Sequence, residues 1–128
     1  MDVTTTIAIV AAYLVGSIPT SYLIGRWVGG VDIRQHGSGN VGASNLTSQV
    51  GAKWAAPVVV FDVFVKGSLP VFLVSSRYLD RGVGTEATVA IAAILGHNWS
   101  VFAKFQGGRG MATVLGTTLA LDFPLLIV

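Results

Sequence analysis

Two glycine-rich stretches hold most of the residues able to do chemistry. The first runs Val31-Asp32-Ile33-Arg34-Gln35-His36-Gly37-Ser38-Gly39-Asn40-Val41-Gly42-Ala43-Ser44-Asn45. Gly37, Gly39 and Gly42 fall within six residues, with Ser38, Asn40, Ser44 and Asn45 beside them. Glycine lets backbone N–H groups converge on an anion, and Ser and Asn add donors. Arg34 could chelate a phosphate through two guanidinium N–H groups. The same composition also suits an ordinary turn. The second stretch is Phe105-Gln106-Gly107-Gly108-Arg109-Gly110, just before the apolar run that begins Met111-Ala112-Thr113. A glycine loop, a cation and a helix N-terminus make an anion site. The spacing is not that of a P-loop. A tight interhelical turn with an interfacial Arg is the plainer reading.

Three ionisable residues sit inside apolar sequence. Asp62 and Lys66 are four apart, so a helix puts them on one face. Charges in an apolar span are costly and face a polar interior or each other. Either the pair merely neutralises itself and locks helices, or Lys66 meets an anionic substrate and Asp62 orients it. His97, followed by Asn98 and Trp99, is either a packed, hydrogen-bonded residue or a general base or phosphate donor. Ligand spacing for a metal is lacking, and there is no cysteine. His36 reads as a solvated loop residue.

The elements that must position these groups are apolar. Of 128 residues, 52% are hydrophobic and 11% charged, against about 25% charged in an ordinary soluble domain. Mean hydropathy is +0.71. The net charge of +2 and the lack of a dense basic patch argue against nucleic-acid binding. No basic residue precedes Arg26, so the N-terminal apolar run reads as a permanent span, not a cleaved signal.

A crossing helix needs about 20 apolar residues. Four segments approach this: Thr4–Val28, Ala52–Ser75, Thr85–Phe105 and Met111–Val128. The second is interrupted by Asp62, Lys66 and Pro70, and either crosses once or turns back. Gly16, Ser17 and Pro19 break the first, where small residues allow close packing. The expected fold is all-α, a single polytopic membrane domain over 1–128, with short connections. Arg26, Arg34, Lys53, Lys104 and Arg109 fall in the first and third connections, against Arg77 and Arg81 in the second. The positive-inside rule puts the two glycine loops in the cytoplasm.

With these motifs in order, the chain resembles the bacterial acyl-phosphate:glycerol-3-phosphate acyltransferases. Gly16 through Arg26, Asp32-Ile33-Arg34 and Gly37 through Ala43 look like the first family signature. Asp62 with Lys66-Gly67 looks like the second. Gly96-His97-Asn98, Phe102, Phe105 and Gly107 through Thr113 look like the third. The resemblance covers nearly the whole chain. It implies transfer of a fatty acyl group from acyl phosphate to the sn-1 hydroxyl of glycerol 3-phosphate at the bacterial inner membrane, without cofactor or metal. The products are lysophosphatidic acid and phosphate, feeding phospholipid synthesis.

His97, Lys66 and Arg34 are then the expected catalytic residues. Ser38, Gly39, Asn40, Gly42, Asn45, Gly107, Gly108, Arg109 and Gly110 are the expected phosphate binders. Arg109 stands where the family has Lys, and Ser44 where it has Thr. Ser100 stands where Pro is common, a change expected to straighten that turn. Family members continue for further spans, so this chain is expected to be the N-terminal part of a longer enzyme and inactive alone. A small-anion transporter is the runner-up. Transport would align polar groups through several spans, whereas here they cluster in loops.

Overall fold

The computed structural model describes residues 1–75 and 82–126, with side chains through residue 121. Arg77, Arg81 and the polar and apolar side chains beyond Leu121 lie outside the described residues. All regular structure among the described residues is helical, as the sequence requires.

Helix α1 spans Val3–Gly16 and α2 spans Thr20–Gly29. The Asp2 carboxylate caps α1 by accepting the Thr5 N–H at 2.7 Å. The break falls at Ser17–Pro19, because Pro19 has no N–H to continue the helical ladder. The first expected span is thus two helices. Helix α2 ends on Gly30 at φ 64°, where a left-handed residue lets Val31 N–H reach the Gly25 carbonyl at 3.1 Å.

The connection that follows is not short. After residues 31–42 it contains an unexpected helix, α3, Ala43–Val50. Its polar sequence hid it, because its apolar anchor is a single buried Leu46. Ile33, Val41 and Leu46 pack with Ala55 and Val58 of the next helix. The glycine loop is therefore fastened to a hydrophobic core and is no free turn.

The second apolar segment is one continuous rod, Ala52–Val74. It comprises α4, Ala52–Phe61, a π-helical stretch, Asp62–Ser68, and α5, Leu69–Val74. It does not turn back. Pro70 cannot donate to a carbonyl one turn earlier, and the wider π turn before it absorbs that mismatch. At 23 residues the rod is about 35 Å long, enough to cross a bilayer.

Helix α6, Val83–Asn98, stops well short of the expected Phe105. The chain then bends through a 3₁₀ turn, Val101–Ala103, before α7, Met111–Leu126. Ser100 does not straighten this region. Its hydroxyl donates to the Ser17 carbonyl and ties the bend to the α1–α2 break. Of four expected spans, two helical stretches among the described residues are long and apolar enough to cross: Val3–Gly29, counted through its break, and Ala52–Val74. Helices α6 and α7 have 16 residues each.

Helix crossings are made by small residues. A Cβ on Gly96 would strike the Tyr13 carbonyl and Ser17 N, and one on Gly16 would strike Ala93, so α1 and α6 touch backbone to backbone. A Cβ on Gly67 would lie 2.6 Å from the Thr113 carbonyl and 2.8 Å from Gly116 Cα. That contact sets α7 against the π turn. Outward faces carry Ile7, Val60, Phe64, Leu73, Ile91 and Leu115, each at least 49% exposed. So much outward apolar surface suits lipid, not water. Gly67→Ala should overpack this crossing and cost about 1–3 kcal/mol. Gly84→Ala, where a Cβ meets nothing within 4 Å, should leave stability unchanged or slightly raised. Thermal melts in detergent compare the two; equal melting temperatures would contradict the close crossing.

Candidate functional site

The site begins at one buried ammonium. Lys66, 2% exposed, lies in the π turn with its Nζ 2.8 Å from Asp62 Oδ1. It also donates to Thr20 Oγ1 at 3.1 Å, and Thr20 in turn donates to Asp62 Oδ1 at 2.9 Å. His97 Nδ1 stands 3.5 Å from the same Nζ and 3.2 Å from Thr113 Oγ1. The Asp62 Oδ2 atom lies 3.9 Å from the same Nδ1, and with Lys66 as an ammonium, which can only donate, the Lys66–His97 contact has Nδ1 accepting and the ring proton on Nε2. Residues of α2, the rod, α6 and α7 thus meet in one network. Lys66 is fully engaged there, and its ammonium does not reach the groove described next.

Next to the network lies a groove of about 480 Å³. Its floor includes Asp62, Val59 and His97. One wall is Ser38, Asn40 and the start of α3, Gly42, Ala43 and Ser44; the other is Arg109 and the start of α7, Gly110, Met111 and Ala112. The first residues of two helices therefore face one space. Each helix start carries unsatisfied N–H groups and a partial positive charge, which favours anions. Arg109 is exposed and has no ion-pair partner among the described residues.

Six expected site residues line this groove: Ser38, Asn40, Gly42, His97, Arg109 and Gly110. The other six do not, each for a visible reason. Arg34 is closed onto Asp32 by two bonds of 2.9 and 2.7 Å and rests 4.6 Å over the Tyr22 ring. Asn45 is buried, and its amide donates to the carbonyls of Ile33, His36 and Asn40 at 2.8 to 3.0 Å. It shapes the loop from beneath. Gly39, at φ 73°, directs its N–H to the His36 carbonyl. The Gly107 and Gly108 N–H groups bind the Asn98 and His97 carbonyls at 3.1 and 3.2 Å. They hold the turn under His97, where a Cβ on Gly108 would lie 2.6 Å from Nε2. Lys66 is engaged as above. His36 is an exposed loop residue, its Nδ1 2.8 Å from the Asp32 carbonyl.

Thr20 and Thr113 were not foreseen. A hydroxyl 42 positions from Asp62 carries no local signal, and only its place beside Pro19 in the first signature marked Thr20. Val59, Met111 and Ala112 read as plain apolar helix and line the groove only because of how the helices cross.

Such an arrangement defines a class: a polytopic helical membrane protein with a polar groove between its helices. The chain belongs to the glycerol-3-phosphate acyltransferase family, whose model matches residues 6–128. It is 48% identical over 115 residues to glycerol-3-phosphate acyltransferase 4 of Dehalococcoides mccartyi (strain CBDB1), covering 90% of this chain and 48% of that one. It is 45% identical over 117 residues to the glycerol-3-phosphate acyltransferase of Myxococcus xanthus (strain DK1622), covering 91% and 60%. A crystal structure of PlsY (YgiH), an integral membrane glycerol 3-phosphate acyltransferase in its glycerol 3-phosphate form, superposes with a TM-score of 0.86 at 35% identity. That match covers 97% of this chain and 60% of the solved one. Its lysophosphatidic acid form superposes at 0.82 with 34% identity. The chain thus spans about half to three-fifths of the length of these relatives.

Two outcomes follow from the network and the loop. Thr20→Val should loosen the Asp62–Lys66–His97 alignment and lower the melting temperature in detergent, while Thr20→Ser should restore it. An equal loss in both variants would deny the hydroxyl this role. Asp32 is held at about 2, below its ordinary 3.8, chiefly by the hydrogen bond from Arg34. Its folded pKa is depressed, so the loop clasp is complete above about 3.8 and is lost as pH falls toward 2. Hydrogen exchange of residues 31–42 should stay flat from neutral pH to about 4, after correction for intrinsic rates, and rise below it. A rise already near pH 6 would point to another group.

Proposed function

We propose that the groove transfers a fatty acyl group from acyl phosphate to the sn-1 hydroxyl of glycerol 3-phosphate. The observation that carries this reading is the convergence of two helix starts with Arg109 and His97 on one groove. Both substrates bring phosphate, and two facing helix N-termini can hold two phosphates. Family membership and the solved relatives, one in a glycerol 3-phosphate form and one in a lysophosphatidic acid form, support the acceptor and the product.

The reaction needs little covalent help, because acyl phosphate is an activated mixed anhydride. The hydroxyl oxygen bonds to the acyl carbon, the bond from that carbon to the phosphate oxygen breaks, and the electron pair leaves with phosphate. The hydroxyl proton goes to the departing phosphate. Asp62 is held by Lys66 and Thr20, and His97 Nδ1 accepts from its neighbours, so neither offers a free base with an obvious path. On this reading His97 donates from Nε2 to developing negative charge, while Arg109, Ser38 and Asn40 orient phosphate. Lys66 acts through His97. Arg34 and Asn45 act through the shape of the first loop. Arg109 keeps the charge of the family's Lys but spreads it over a planar fork, which favours two-point contact with phosphate.

The site end of the bundle is placed at the cytoplasmic face of the bacterial inner membrane. The excess of Arg and Lys in the first and third connections supports that orientation.

The test joins this chain to the C-terminal remainder of the Myxococcus xanthus relative and measures phosphate release in lipid. Release should require both acyl phosphate and glycerol 3-phosphate. His97→Ala and Arg109→Ala should each lower turnover about 10²-fold or more. Gly39→Ala should impair substrate use more than folding, because it deforms the loop that presents Ser38 and Asn40. Phosphate release that ignores glycerol 3-phosphate would overturn the acceptor assignment.

A further inference from the structure

The bend after α6 presents Trp99, Val101, Phe102 and Phe105 outward, 54%, 41%, 60% and 59% exposed. It is a rigid hook. Lys104 and Phe105 both have positive φ, 54° and 61°, a conformation that is uncommon for residues with a Cβ and costs energy unless the surroundings impose it. They are imposed here by a backbone zipper: Phe105 N–H binds the Ser100 carbonyl at 2.7 Å and Gln106 N–H binds the Ala103 carbonyl at 3.0 Å. Two clamps join the hook to α1 and the break after it. The Tyr13 hydroxyl donates to the Trp99 carbonyl at 2.8 Å, and the Ser100 hydroxyl donates to the Ser17 carbonyl. The strained turn therefore holds Phe105 outward, away from the core.

Apolar exposure here continues an apolar face. Ile91 and Leu95 of α6, 57% and 42% exposed, lead into it. Exposed Lys104, Gln106 and Arg109 then follow, and no acidic residue occurs between His97 and Asp122. An apolar helix face passing into Trp and Phe and then into cations is the chemical order of a bilayer passing from hydrocarbon to phosphate. We propose that residues 99–105 form an interfacial anchor seated in the phospholipid headgroup layer. Its base is the Gly107–Gly108 turn bonded to the His97 and Asn98 carbonyls, so the anchor also fixes the depth of His97 relative to the lipid phosphates.

The sequence has 3 tryptophans, which permits a direct reading. Trp27→Phe with Trp54→Phe, both at exposed positions, leaves Trp99 as the sole tryptophan. The full chain is placed in vesicles of phosphatidylglycerol and phosphatidylethanolamine, and helix content is checked by circular dichroism. Trp99 emission should be quenched about twofold more by lipids brominated near the glycerol backbone than by lipids brominated at the chain ends, and little by aqueous iodide. Adding Phe102→Ser and Phe105→Ser should raise iodide quenching at unchanged helix content. Strong iodide quenching without bromolipid quenching would make the hook an aqueous loop and overturn the proposal. Quenching by neither would mean that protein covers it, with the same consequence. No substrate or turnover enters the measurement, so its outcome is independent of the acyl-transfer reading.

Discussion

An ammonium buried to 2% exposure in an apolar bundle must be matched or it will not stay there, and the matching of Lys66 organises this protein. Its partners come from three elements besides its own turn: Thr20 at the start of α2, His97 near the end of α6, and Thr113 in α7 by way of His97. Asp62 supplies the opposing charge from one turn away. A buried ion pair repays desolvation only when its remaining hydrogen bonds are made, and here these groups make them. That arrangement holds His97 against the groove.

Close approach of the backbones makes the matching possible. Gly16 and Gly96 bring α1 onto α6, and Gly67 and Gly116 bring the π turn onto α7. In a lipid environment helices gain little from hydrophobic burial against each other, so contact through small residues is what holds them. The π turn serves both needs. It accommodates Pro70 and still keeps Asp62 and Lys66 within 2.8 Å. Ser68, at its end, donates to the Gly116 carbonyl at 2.8 Å and strengthens the same crossing.

Two of the departures from the family pattern have structural consequences of different kinds. At Ser100 a hydroxyl bond to Ser17 holds the bend that a proline would otherwise favour by its fixed φ. At Arg109 the charge stays in the groove wall. The first change replaces a local constraint with a long-range one, and the second keeps a cation in the groove wall while changing its shape.

By itself the sequence determined the class and singled out most of the candidate residues. Low charge and long apolar runs point to lipid as the solvent, and the glycine loops, Arg109 and His97 stand out as polar groups set in apolar sequence. These properties depend on composition and local order, which are written along the chain. It also determined that Asp62 and Lys66 share a face, since that follows from spacing alone. The tertiary structure decided which candidates face the groove. Arg34 and Lys66 look equally able to bind phosphate, yet each is closed onto a carboxylate, Asp32 and Asp62. Asn45 looks like a surface donor, yet its amide is held by three backbone carbonyls. Thr20 and Thr113 look like ordinary helix residues, yet they complete the network. A side chain's donors are a property of its type, but their partners depend on which distant helix lies opposite, and helix crossing set that here.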